Sequence, residues 1–231
     1  GALQIGKGGL AVNGAAGAGV QQHVVVYIHA QHPVGGVLFQ RLGQRAPDKA
    51  QAYKCRLHEF DDGKASLLGD YLPQKLQRSG GEHVRFLGLP GNYQGYLLYV
   101  YENGKAAKIP VKSFDTKSNR RRLTGAYCDR SPLVAAIHLE EEGEVAIYST
   151  DGRMLLLNTA MVAPKATRSS QGVAVMALKK NKVVKQVLPK AQAGIVNESR
   201  YRTRTLPAAG ALLRAEDAQE KQLTLEDTES R

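Results

Sequence analysis

The chain has no tryptophan, only four phenylalanines and two cysteines. Without tryptophan, and with tyrosine as its main aromatic, it is poorly equipped to stack unpaired bases on aromatic platforms. Cys55 and Cys128, 73 residues apart, make no disulfide framework and suit a reducing cytoplasm. No apolar run approaches the length of a membrane-spanning helix. The N-terminus lacks the basic start and apolar stretch of a signal peptide, and a first residue of Gly rather than Met reads as a fragment carrying a cloning remnant.

Catalytic and metal-binding patterns are missing as well. There is no Gly-x-Ser-x-Gly elbow and no Walker loop. The glycines of Gly14-Ala-Ala-Gly17-Ala-Gly19 precede the apolar run Val24-Val-Val-Tyr-Ile28, whereas a phosphate-binding loop follows a strand and opens a helix. Cys55-x-x-His58 and His29-x-x-His32 offer two ligands each, where a zinc site takes three or four. The acidic run Glu140-Glu-Glu-Gly-Glu144 reads as a turn. The expectation is no catalytic residue, no metal and no cofactor.

What the sequence has is positive charge. Lys and Arg number 32 against 21 Asp and Glu, a net charge of +11. The excess is uneven: residues 1–95 carry +4, residues 96–190 carry +8 and residues 191–231 carry −1. Clusters stand at Lys105, Lys108, Lys112, Lys117, Arg120, Arg121 and Arg122, and at Lys179, Lys180, Lys182 and Lys185. Excess lysine can serve solubility alone. A basic stripe also binds polyanions by releasing their counterions. A membrane surface would require a basic amphipathic helix or lipid anchor, and neither is present.

From residue 23 to 190 the pattern is all-β. Short apolar runs at 23–29, 37–40, 52–58, 95–101, 106–111, 134–138, 144–149, 153–158, 172–178 and 183–187 are punctuated by Asp62-Gly63, Asn103-Gly104 and Asp151-Gly152. Residues 1–22, with seven glycines, read as a flexible or irregular lead-in, and 211–231 as an acidic tail that is a short helix or disordered. The middle part, 23–210, is the expected folded domain. Gly104 and Gly152 lie 48 residues apart, Arg120 and Arg168 also 48, and Gly125 and Gly172 47. A looser third copy begins at Tyr53, with Phe60 in the place of Phe114. A period near 48 with about four strands per unit means a propeller or related radial array, since one small sheet cannot bury both faces alone.

The block strand, Asn/Asp-Gly, Lys/Arg, strand, loop, Arg-x(3–4)-Gly at this period resembles the C-terminal domain of gyrase and topoisomerase IV A subunits. Lys54-Cys-Arg-Leu-His-Glu-Phe60, Gly69-Asp-Tyr-Leu-Pro73 and Glu144-Val-Ala-Ile-Tyr-Ser-Thr-Asp-Gly-Arg153 carry the likeness, which covers about residues 23–190. It implies a propeller-like β-pinwheel of three to five four-stranded blades that exchange a strand with their neighbours. It also implies double-stranded DNA on a basic rim. The implied partners are the remainder of the A subunit and an ATP-hydrolysing B subunit in the bacterial cytoplasm, at the nucleoid. The seven-residue gyrase box has Gln40-Arg-Leu-Gly-Gln-Arg45 as its nearest text here, which shifts the expectation from active supercoiling towards decatenation or relaxation.

The expected DNA contacts are Lys117, Arg120, Arg121, Arg122 and Arg168 first, then Lys105, Lys108, Lys112, Arg153 and Lys165. Arg grips phosphate with a planar fork. Arg120 and Arg168 could equally bind carbonyls at strand ends, while Gly125 and Gly172 are expected at positive φ in turns. The competing readings are a scaffold binding an acidic protein and an enzyme with a site in the central channel. Residues 215–231 are expected to compete weakly with DNA for the basic rim.

Overall fold

The computed structural model describes residues 2–6, 9–13, 36–42, 51–55, 70–71, 82–88, 93–115 and 122–218, with side chains for 52–53, 93–115 and 122–218. Within them lie four antiparallel sheets. The first has three strands, β1 (Ala2–Gly6), β2 (Gly9–Asn13) and β5 (Asp70–Tyr71), in the order β2-β1-β5. The second holds β3 (Gly36–Leu42), β4 (Gln51–Cys55), β6 (Glu82–Gly88) and β9 (Arg122–Leu123). The third holds β7 (Tyr96–Tyr101), β8 (Lys105–Pro110), β10 (Leu133–Leu139) and β13 (Val173–Ala174). The fourth holds β11 (Glu144–Ser149), β12 (Arg153–Asn158), β14 (Val184–Pro189) and β15 (Ala211–Leu212).

The three four-stranded sheets share one plan. A hairpin forms the centre, the next long strand flanks its first arm, and a two-residue strand flanks its second: β6-β3-β4-β9, β10-β7-β8-β13 and β14-β11-β12-β15. The two-residue strand is borrowed. β9 follows β8 in the chain yet pairs with β4, and β13 follows β12 yet pairs with β8. The last sheet has no following unit among the described residues and takes β15 from farther along its own chain. The strand exchange implied by the resemblance is therefore present.

Alternation along the hairpins explains the stacking. In β7, Leu97, Tyr99 and Tyr101 enter one core with Ile109, Phe114, Leu123 and Tyr127. Leu98 and Val100 enter another with Ala106, Val145, Ile147, Leu155 and Leu157. Both faces of the sheet are buried, as period-2 alternation of apolar side chains on both parities requires. The fourth sheet repeats this: Ala146, Tyr148, Met154 and Leu156 point away from the third sheet and are covered by Tyr201, Ile195, Ala211 and Leu213. Each large aliphatic side chain so buried contributes about 1.5–3 kcal/mol.

That cover corrects the reading of the tail. Residues 211–218 are a strand and a 3-10 turn built into the last sheet, where β15 pairs with β12. Asp217 is buried, its carboxylate accepting the Tyr201 hydroxyl at 2.5 Å and the Asn197 amide. Asp217 is thus committed to the fold, while residues 219–231 of the segment expected to compete for the rim lie outside the described residues. Residues 2–6 and 9–13 likewise pair as antiparallel strands, Ala2 opposite Asn13, where an irregular lead-in was expected; residues 14–22 of that lead-in lie outside the described residues. The expected strand at 172–178 shrinks to Val173–Ala174, because only its start reaches β8. The expected strand at 23–29 lies outside the described residues.

The 48-residue period holds for the hairpins: Tyr96 and Glu144 open β7 and β11, and Gly104 and Gly152 turn them at φ 77° and 76°. It fails for Gly125 and Gly172. Both have positive φ, 58° and 75°, but Gly172 immediately precedes the borrowed strand while Gly125 lies beyond it. The structural counterpart of Gly172 is Gly210, at φ 70° just before β15.

Candidate nucleic-acid interface

The expected contacts separate into groups when placed on this frame. Lys105 and Arg153 follow the turn glycines and open the second hairpin arms. Each reaches across to the borrowed strand's approach: Lys105 Nζ donates to Gln171 Oε1 at 2.6 Å, and Arg153 Nη1 donates to the Gly210 carbonyl at 2.8 Å. Arg153 also lies 3.4 Å from Asp151. Both side chains are half-buried and hold the exchanged strand in register.

Lys108 is a correction. It is 2% exposed, so it is not on a rim. Its ammonium donates to Glu142 Oε1 at 2.5 Å and to the Thr159 carbonyl at 3.0 Å, and sits 5.2 Å from the centre of the Tyr96 ring. Thr159 Oγ1 donates to the other Glu142 oxygen. Burial works against the charge on Glu142, but the bonds from Lys108 and Thr159 outweigh it and hold its carboxyl below the usual range. The network links the third sheet to the fourth. Lys108 occupies the place that the buried Leu156 occupies in β12, 48 residues on.

The second group is exposed. The chain leaving β12 runs back along β8, where Pro164 bridges Lys108 in parallel and the Lys165 amide donates to the Lys108 carbonyl at 2.8 Å. This brings Lys165 towards Lys112, which lies on the 3-10 turn Val111–Phe114 after β8. Both lysines are exposed. Arg168 is half-buried beside them, donating weakly to the Ser113 carbonyl at 3.4 Å and lying 5.5 Å from the Phe114 ring centre. Arg122 is exposed on the borrowed β9, opposite Tyr53. Lys117, Arg120 and Arg121 lie outside the described residues.

The fourth sheet repeats the connection. Arg202 bridges Leu156 in parallel, and the Thr203 amide donates to the Leu156 carbonyl at 3.1 Å. Residues 200–204 therefore stand where 162–166 stand one unit earlier. Arg204 is exposed there and forms no ion pair with a described residue. Sequence reading missed it; the signal was Tyr201-Arg-Thr-Arg204 shortly before Gly210, as Lys165 and Arg168 come shortly before Gly172. Arg202 is occupied, its guanidinium gripping Glu144 at 2.6 and 2.9 Å and Glu198 at 2.9 Å. Lys190 joins the same carboxylates. The Arg202 bonds pull the Glu144 carboxyl down to about 2.

The acidic turn Glu140–Gly143 separates β10 from β11, as expected, and Glu142 and Glu144 consume cations at the unit junctions. The third strands β6, β10 and β14 neighbour one another, so the borrowed strands and their basic approaches lie at the opposite edge of each sheet.

No family model and no curated protein matches the chain. Solved structures do. The C-terminal domain of DNA topoisomerase IV superposes with a TM-score of 0.63 at 18% identity, over 80% of this chain and 61% of that one. The fold is a β-pinwheel. The DNA gyrase A C-terminal domain gives a TM-score of 0.50 at 18% identity, over 79% of this chain and 60% of that one. The E. coli ParC C-terminal domain gives 0.55 at 12% identity, over 80% of this chain and 78% of that one. This pinwheel thus spans about three fifths of the length of the first two.

Proposed function

We propose that this pinwheel is a non-catalytic domain that holds and bends duplex DNA, as the C-terminal part of a type II topoisomerase A subunit. The observation that carries the reading is the repeated approach to the borrowed strand. Lys165 and Arg204 stand exposed on equivalent connections, with Lys112 and Arg122 exposed on the neighbouring turn and strand. The connection from 116 to 121 adds Lys117, Arg120 and Arg121 in the sequence. Arg168 stays in the contact set as a partly exposed charge behind them; Lys105 and Arg153, which hold the borrowed strand at the hairpin-turn end, leave it with the buried Lys108.

Cations recurring once per unit give phosphate contacts at intervals along an arc. Such contacts position a duplex without reading its sequence. Bending 20–30 base pairs by 40–90° costs about 1–6 kcal/mol, which several phosphate contacts offset. Chemistry on the DNA then belongs to the remainder of the A subunit, with ATP hydrolysis on a B subunit, in the bacterial cytoplasm at the nucleoid. Among the described residues no helix is long and apolar enough to cross a membrane. The poor match to the gyrase box favours a decatenating or relaxing parent over a supercoiling one.

Duplexes of unrelated sequence test this reading. Equal affinity for three such duplexes, lost on adding salt, is the expected result. Preference for an acidic protein, with no duplex binding at low salt, would replace it with the scaffold reading.

A further inference from the structure

A second basic cluster stands apart from the connections described above. Between β13 and β14 the chain makes a turn whose Lys179, Lys180 and Lys182 are all exposed, with Lys185 exposed at the start of β14. The turn is closed by the Lys182 amide donating to the Lys179 carbonyl at 3.0 Å, and Asn181 takes φ 60°. Its flanks are fastened to two hairpin turns. Thr150 and Val183 exchange bonds, the Val183 amide donating to Thr150 Oγ1 at 3.1 Å and the Thr150 amide to the Val183 carbonyl at 2.9 Å. The Val184 amide donates to the Glu102 carbonyl at 2.9 Å. The lysines are therefore carried on a fixed loop wedged between the β7–β8 and β11–β12 turns.

None of the four forms an ion pair with a described residue. The carboxylate of Asp151, which feels Lys179, is committed to the Ser149 hydroxyl and to Arg153. Four uncompensated cations on a rigid turn fit a polyanion with closely spaced charges, and duplex DNA presents one per ~1.7 Å of axis.

Their position decides what they do. The hairpin turns lie at the Lys105 end of β8, whereas Lys112 and Lys165 lie towards its Pro110 end. A strand of six residues puts about 20 Å between the two ends. That exceeds a Debye length of ~8 Å at physiological salt, so the two basic surfaces act independently.

We propose that the lysine turn is a second phosphate-binding surface that takes a second duplex segment while the first is held at the opposite end of the sheets. This rests on the duplex-binding reading above. The test uses the full chain, a surface-tethered duplex of about twelve base pairs and a fluorescent duplex of the same length, at about 0.1 M salt, where the Debye length of ~10 Å stays below the separation of the two surfaces. Wild type is expected to retain the fluorescent duplex through the tethered one. The variant with Lys179, Lys180, Lys182 and Lys185 all changed to Gln is expected to bind the tethered duplex but to lose at least nine tenths of the fluorescent one. The matching Lys→Arg variant should keep it. Retention by the Gln variant, or failure of wild type to hold a second duplex while binding the first, overturns the proposal alone. Failure of wild type to bind the tethered duplex overturns the underlying reading and this proposal with it.

Discussion

Gly172 lies so close to Ala106 that a Cβ built on it would stand 1.9 Å from the Ala106 carbonyl oxygen. Gly210 stands in the same relation to Met154, at 2.7 Å, one unit along. In both places the chain must pass hard against the second hairpin arm to begin the borrowed strand. Gly152 has φ 76° but open space around its missing Cβ, and Gly143 has neither constraint. Alanine substitution should therefore grade. Gly172→Ala should cost about 3 kcal/mol or more, because clash adds to the φ penalty. Gly152→Ala should cost about 1–2 kcal/mol from φ alone, and Gly143→Ala within ~0.5. Urea unfolding of the three variants checks the order; equal costs at 172 and 152 would mean the exchanged strand is not seated this closely.

Lys108 separates charge from DNA contact. Its ammonium is consumed by Glu142 and Thr159 inside the junction of two sheets. Lys108→Leu copies the residue at the equivalent place in β12, while Glu142 is free to turn to water, its side chain being 41% exposed. Stability should change by less than about 1.5 kcal/mol. The duplex affinity and its salt dependence should not change. Lys108→Ala should cost more, about 2–3 kcal/mol, through the cavity it leaves. A loss of DNA affinity in Lys108→Leu at unchanged stability would return this residue to the interface.

Acid should loosen the fourth sheet through Glu144. Its carboxyl titrates at about 2 in the fold against an ordinary 4.5, held down by Arg202 and Lys190. A depressed folded value contributes stability above the ordinary value, and that stability is lost as pH falls from 4.5 towards 2. Because Arg202 and Lys190 are about two-fifths exposed, solvent screening reduces the contribution to about 1 kcal/mol. Thermal melts between pH 2 and 6 should show a shallower decline in Glu144→Gln than in wild type. Parallel curves would contradict the assignment.

The hairpins were legible in sequence because their signals are local. Tyr96-Leu-Leu-Tyr-Val-Tyr and Val145-Ala-Ile-Tyr carry apolar residues on both parities, and Asn103-Gly104 and Asp151-Gly152 mark the turns. The borrowed strands were not, because two residues such as Val173 and Ala174 have no period, and their pairing is set by a neighbouring unit. Gly125 was matched to Gly172 for the same reason: spacing suggested equivalence, whereas register opposite Ala52 and Ala106 decides it. The tail was misread because its charge is acidic overall, while Ala211 and Leu213, which cover the last sheet, are few. For the interface, basic composition pointed to the right chain segments but could not distinguish Lys108, whose partner Glu142 comes from the next unit, from Lys112 four residues later.

The salt dependence of duplex binding tests the central claim most directly. For a duplex of about forty base pairs, log K should fall against log salt with a slope of about −3 or steeper, whatever the sequence. Lys165→Ala and Arg204→Ala should each make the slope shallower by about 1. A slope near zero, or no measurable binding at about 50 mM salt, would contradict the account.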